Sequence, residues 1–306
     1  MAAGARVSLC EVILRDGIQA WPRFIDTEHK IRLLRAIADA GVPEVDATSF
    51  VSAKLVPQMA DGFAVLAAAP ETLRVRVLAV NSKGVESTIH AHQTVRPIQR
   101  CGTPFSVSES HNRANLRRGH DEQRAVVAEM FAALQAEGIE PLLGVVTAFG
   151  CPIEGKVDPE AALAIAQWGY DLGVRAIMFG DTTGMANPRS VSALFGAAAK
   201  MFPDADLIAH FHDNRGAGIA NAVAAIGSGA TTVDACLGGL GGEPSAIELG
   251  LAGDQGNVIT EDLVAVLHGM GIETGIDAAA LLRAGAIAEE TVGRALFSKV
   301  QRAGLA

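Results

Sequence analysis

Ile208-Ala209-His210-Phe211-His212-Asp213 is the stretch from which the rest of the chain is read. Residues 207–211 form a short, mostly apolar run of the kind that makes a buried β-strand. Side chains alternate along a strand, so His210 and His212 share one face and Phe211 takes the other. Two imidazoles at i and i+2, at a strand's C-terminal end, supply half of a metal site. An H-x-H pair is a weak signal alone. It gains weight from its place in a series of strands and helices.

That series runs in both directions from the pair. Strands are predicted at 7–14, 44–48, 73–80, about 94–101, 140–147, 174–179, 205–211 and 231–236. Asp26-Thr27-Glu28 opens the first helix and Gly41 stops it; further helices are expected at 83–90, 122–137, 219–226 and 260–270. Asp158-Pro159-Glu160 and Asn187-Pro188 open two more, with proline in the first turn. The fourth strand carries Pro97, Gln99 and Arg100, which suit a central strand poorly.

Eight β–α units predict an α/β fold, a closed (β/α)8 TIM barrel. The alternative is an open doubly wound sheet, which would gather its polar residues at one switch point. Here polar clusters recur at strand C-terminal ends all along the chain: Arg15-Asp16, Asp46, Asn81, Thr147, Asp181 and His210/His212. Residues 1–306 are read as one catalytic domain, with an extra C-terminal helical segment from about residue 275.

Composition narrows the partners. The chain has 306 residues, 49% of them hydrophobic, and a net charge of −9 without a basic block, which argues against nucleic acid. No apolar run is long enough to cross a membrane. Residues 1–6 lack the apolar segment of a signal peptide. Cys10, Cys101, Cys151 and Cys236 lie far apart and read as reduced thiols in a cytoplasmic protein.

Closing a barrel makes strands 7, 8 and 1 neighbours. Asp16 can then reach an ion held by His210 and His212, and Asn257, after strand 8, lies between them. A carboxylate, two imidazoles and an amide oxygen leave open positions on an octahedral divalent ion, which can chelate a substrate's hydroxyl and carbonyl oxygens. Mg²⁺ or Mn²⁺ is the expected cofactor, although the mixed N/O set also accepts Co²⁺ or Zn²⁺.

Glu11-Val12-Ile13-Leu14-Arg15-Asp16-Gly17-Ile18-Gln19 resembles the opening signature of the 3-hydroxy-3-methylglutaryl-CoA lyases, in the DRE-TIM metallolyase superfamily. The likeness continues through Asp46-Ala47-Thr48-Ser49-Phe50-Val51-Ser52, Val56-Pro57-Gln58-Met59, Gly150-Cys151-Pro152 and Gly180-Asp181-Thr182. It ends with the histidine strand and Gly256-Asn257-Val258-Ile259-Thr260-Glu261-Asp262-Leu263. The resemblance implies that Asp16, His210, His212 and Asn257 bind the metal. It implies that Arg15 stabilises the enolate oxygen of the departing thioester and that Asp181 supports the site. Asp46 stands where those lyases have a glutamate. Gln19, Ser49, Asn81, Ser108 and Thr147 are the candidate substrate contacts, and Ser106–Asn112 resembles a segment near the acyl group.

The reaction the resemblance implies is a retro-Claisen cleavage. A tertiary hydroxyl loses its proton, the C–C bond breaks, and acetyl-CoA leaves as its enolate beside a keto product. An acyl-CoA thioester is therefore the expected small-molecule partner, and a homodimer the implied assembly. Two departures stand out. The loop Gly238-Gly239-Leu240-Gly241-Gly242-Glu243-Pro244 holds Glu243 at the position of the lyases' catalytic cysteine. A carboxyl with a raised pKa can donate a proton, so Glu243 joins Arg15, Asp16, Asp46, Asp181 and His212 as a candidate catalytic residue. Ala20-Trp21-Pro22 replaces a polar pair and suits a larger or less polar acyl group.

Three other functions compete with the lyase. One is a condensing acyltransferase of the isopropylmalate or citramalate synthase type. Another is an aldolase of a hydroxy keto acid, and the third a catalytically silent barrel that only binds.

Overall fold

The structure is a computed structural model that describes residues 6–242 and 256–306. Its strands are β1 (Ser8–Glu11), β2 (Glu44–Ser49), β3 (Arg74–Leu78), β4 (Arg100–Ser106), β5 (Glu140–Val146), β6 (Ala176–Asp181), β7 (Asp206–Phe211) and β8 (Thr232–Ala235). Each pairs in parallel with the next. β8 returns to β1 with Ser8 opposite Thr232 and Glu11 opposite Ala235. The sheet is a closed TIM barrel, and the open-sheet alternative falls.

Local chemistry sets several boundaries. The helix Thr27–Asp39 ends just before Gly41, whose φ of +79° turns the chain. Asp26 sits at its N-cap position without a capping hydrogen bond. Asp158 does cap, accepting from the Glu160 amide at 3.0 Å. Asn187 and Ser190 form a reciprocal capping box around the helix Pro188–Met201.

Two expected strands are corrected. The first stops at Glu11, and residues 13–17 fold into a π-helical turn rather than continuing extended. The fourth begins at Arg100 and ends at Ser106; Thr94 instead closes the helix Ser82–Thr94. Arg100 reads as out of place in a strand, but it stands at the barrel's N-terminal rim. There it meets Glu140 and Asp206 at 2.6 Å each and Glu44 at 3.4 Å. The short helices Gly62–Ala67 and Glu109–Leu116 were not expected.

The main core lies between the sheet and its helices, where Phe179 and Phe211 both pack on Phe195. Each such side chain contributes about 1.5–3 kcal/mol by leaving water. Inside the barrel, Leu142, Ala176, Met178 and Ile208 form a separate apolar cluster. Charged groups fill the opposite side: Asp46, Arg76 and Asp234. The tail helix Ala278–Val292 covers the helix Thr27–Asp39; Asp277 donates its amide to Ala40, and Arg32 pairs with Glu290 at 2.7 Å. Among the described residues no helix is long and apolar enough to cross a membrane.

Candidate active site

β7 delivers His210 and His212 to the C-terminal mouth on one face, while Phe211 packs outward on Phe149 and Phe195. His210 Nδ1 lies 3.1 Å from Asp234 Oδ2, and His212 Nδ1 lies 2.6 Å from the Thr182 carbonyl. Both partners are acceptors, so each neutral ring carries its hydrogen at Nδ1 and its lone pair at Nε2. The two Nε2 atoms face each other at 3.2 Å. Two lone pairs at that distance repel, and a cation beside them turns the repulsion into ligation.

The oxygen donors converge on the same place. Asp16 Oδ2 is 3.7 Å from His212 Nε2, and the Asp16, His210 and His212 donor atoms all lie within 4.8 Å of one another. Asn257 donates to Asp16 Oδ2 at 2.6 Å and to the Leu240 carbonyl at 2.8 Å. Its amide oxygen is buried without a hydrogen-bond partner. Two imidazoles and a carboxylate, touched by a side-chain amide whose buried oxygen lacks a partner, fit a divalent ion with mixed N/O ligands. Burial would raise the Asp16 carboxyl, but Arg15 and the two histidines outweigh it and hold it well below the usual range. Burial would likewise lower the His212 imidazole; its bonds to Asp16 and Thr182 carry it above its ordinary value instead.

Arg15 and Asp16 reach this point because of the turn Ile13–Gly17. Gly17 is required there, since a Cβ would sit 2.8 Å from Cys236 Sγ. The Glu11 carboxyl holds the turn, accepting from the Ile13 and Leu237 amides at 2.9 Å and from Thr260 Oγ1 at 2.6 Å. It thereby ties β1 to the loop after β8. Burial pushes the Glu11 carboxyl up to about 8.

A chain of alternating charges runs beneath the mouth. Arg15 binds Asp46 through Nε at 2.8 Å and Nη2 at 2.7 Å, and Asp16 through Nη1 at 2.6 Å. Arg76 grips Asp234 with both nitrogens, at 3.0 and 2.7 Å, and touches Asp46 at 3.5 Å. Burial works against the Asp234 carboxylate, but Arg76 and His210 take its pKa down to about 2. Asp234 and Arg76 escaped the sequence reading. Their signal is a charge at an inward position of a strand, in Thr232-Val233-Asp234-Ala235 and Val75-Arg76-Val77.

The other expected residues have distinct places. Arg15, Asp16, Gln19, Asn81, His210 and His212 line a cavity of about 550 Å³ at the mouth. Asn81 also caps the helix Ser82–Thr94. Ser108 and Thr147 stand behind the wall and join three loops. The Ser108 amide donates to Thr147 Oγ1, and the Thr147 amide to Thr182 Oγ1. Ser49 is buried, its hydroxyl unpartnered, and does not line the cavity. Asp181 accepts from the Met185 and Ala186 amides at 2.7 and 3.0 Å, fixing the loop that aims the Thr182 carbonyl at His212. Cys151 is buried, its thiol donating to Ser108. Glu243 lies outside the described residues.

Fold and site together define a TIM-barrel enzyme with a candidate divalent-metal centre at its C-terminal mouth. The HMGL-like family matches residues 6–287, and the chain belongs to that family. It is 36% identical to the cytoplasmic 3-hydroxy-3-methylglutaryl-CoA lyase of Danio rerio, over 97% of this chain and 86% of that protein. It is 34% identical to (R)-citramalyl-CoA lyase of Chloroflexus aurantiacus, over 97% of this chain and 95% of the other. An HMG-CoA lyase from Acinetobacter baumannii, solved with coenzyme A and 3-methylmalate, superposes with a TM-score of 0.89. It shares 32% identity, over 99% of this chain and 97% of that one. The chain is accordingly an enzyme of the carbon–carbon lyase class.

Proposed function

We propose that the chain is a divalent-metal-dependent lyase that cleaves a 3-hydroxy-3-methylglutaryl-CoA-like thioester to acetyl-CoA and a keto product. The observation that carries this reading is one convergence. The His210 and His212 Nε2 atoms and the Asp16 carboxylate meet beside Arg15 at the edge of the cavity, and Asn257, hydrogen-bonded to Asp16, adds a buried amide oxygen without a partner. A divalent cation held by these four residues would supply Lewis acidity toward the substrate's hydroxyl.

The remaining steps belong to the chain's own groups. Arg15 keeps a permanent charge, fixed in place by Asp46 and Asp16, and spends three of its five N–H groups on them. The others meet the oxyanion that develops as the thioester enolate forms. Asp46 orients that guanidinium. Asp234 and the Thr182 carbonyl hold the two imidazoles with Nε2 inward. Glu243, at the cysteine position of the glycine-rich loop, is the proposed proton donor to the enolate carbon. We read residues 1–306 as one catalytic unit in a cytoplasmic setting, which suits its four buried free thiols.

The test is acetyl-CoA release from 3-hydroxy-3-methylglutaryl-CoA by metal-stripped protein, with and without Mg²⁺ or Mn²⁺. Metal-dependent release supports the proposal; none, with metal bound, moves the substrate elsewhere. Full turnover by Glu243→Gln would dismiss the proton-donor role.

A further inference from the structure

The cavity continues past the histidines into the barrel, and its inner wall is apolar. Leu78 of β3, Gly102 of β4, Leu142 and Gly144 of β5, and Met178 and Gly180 of β6 line it. Bulky branched side chains ordinarily fill a TIM barrel at these inward positions. Here three consecutive strands present glycine.

The backbone does not require those glycines. None of the three has a φ in the left-handed region. A Cβ on Gly102 or Gly180 would meet nothing closer than 3.5 Å, an ordinary contact. On Gly144 it would meet the flexible end of Met178 at 3.1 Å. A side chain could occupy each position, so the glycines serve the space in front of them rather than the fold. Charge points the same way. Among the described lining residues the sole guanidinium or ammonium group is Arg15, already engaged by Asp46 and Asp16.

We infer that the substrate's carbinol carbon carries a branched aliphatic substituent larger than methyl, lying against this glycine-and-leucine wall. The inference rests on the lyase reading above. In the reaction the hydroxyl loses its proton and the bond between the carbinol carbon and thioester C2 breaks. The bonding pair passes to the thioester enolate, and the carbinol carbon becomes a ketone that keeps its substituent. C2 then takes up a proton to give acetyl-CoA. No oxidant or reductant enters.

The experiment compares 3-hydroxy-3-methylglutaryl-CoA with its analogue bearing isobutyl in place of the methyl, in Mn²⁺-loaded protein. It measures kcat/KM for acetyl-CoA release. Calorimetric binding of the two thioesters lacking the hydroxyl, which cannot be cleaved, gives a readout independent of turnover. Each buried methylene is worth roughly fourfold, so the isobutyl compound should lead by about tenfold or more in both measurements. Gly144→Val narrows the cavity and should reverse that order. Gly102→Val, whose Cβ meets only leucine methyls and a carbonyl, is the second variant should the first fail to fold. Equal performance, or a preference for methyl, overturns the inference and leaves the lyase reading standing. If neither thioester is cleaved or bound, both fall.

Discussion

His210 and His212 owe their direction to the groups behind them. Asp234 and the Thr182 carbonyl take the Nδ1 hydrogens and leave both Nε2 atoms facing inward. Such supporting bonds typically govern metal affinity by about 10–100-fold, so Asp234→Asn should weaken Mn²⁺ binding by that factor in an electron-paramagnetic-resonance titration. The same substitution removes a carboxylate from Arg76 and should lower the melting temperature as well. Because its bonding to Asp16 carries the His212 imidazole above its ordinary value, protons compete with the metal. Mn²⁺ affinity should therefore fall as pH drops through the neutral range. Arg15→Lys keeps a charge but cannot grip Asp46 and Asp16 and still face the cavity. It should cost about 10²–10³ in kcat, as losing an oxyanion donor does, and also lower the melting temperature, because buried Asp46 loses its paired contacts.

At the scale of elements, the turn Ile13–Gly17 and the loop after β8 form one assembly, joined by two buried carboxyls. Glu11 ties the turn to Leu237 and Thr260, and Glu261 accepts from the Gly238 amide at 2.9 Å. Burial pushes their pKa values from 4.5 up to about 8 and about 7 respectively, the amide and hydroxyl donors opposing it. Each group binds its proton more tightly folded than unfolded. The stabilisation is complete below the unfolded value near 4.5 and drains away as pH rises toward 8. Melting temperature should drop by roughly 5–15 °C between pH 5 and 8.5. Glu11→Gln keeps the shape and the Thr260 bond, so its curve should be flatter over that range. An unchanged slope would mean that Glu11 is ionised throughout. Gly17→Ala should disturb the same assembly by driving a methyl into Cys236.

For the whole molecule, closure is what makes the site. Asp16 and Asn257 are 241 residues apart, yet they share a hydrogen bond because β8 pairs with β1. Ligands that bridge such distant segments stabilise the native state by binding it alone. A saturating divalent cation at about 100 times its Kd adds roughly 2.7 kcal/mol, which corresponds to about 4 °C in melting temperature for a chain of this length. Chelation should reverse that gain in a thermal scan. No shift on adding Mg²⁺ or Mn²⁺ would count against the proposed ligand set.

The sequence by itself determined the barrel and the histidine pair. Alternating apolar runs and helix punctuation are local, and the two-residue period of a strand puts His210 and His212 on one face wherever that strand lies. It misjudged the start of β4, because the charges around Arg100 come from β2, β5 and β7. Asp234 and Arg76 were equally out of reach: a buried charge is tolerable only when a partner meets it, and theirs lie 158 residues apart in the chain. Only the tertiary structure decided which nitrogen of each histidine faces the site, which of the expected contacts line the cavity, and that three glycines leave its inner wall open. These properties depend on pairings across the closed sheet, and sequence spacing carries no record of such distances.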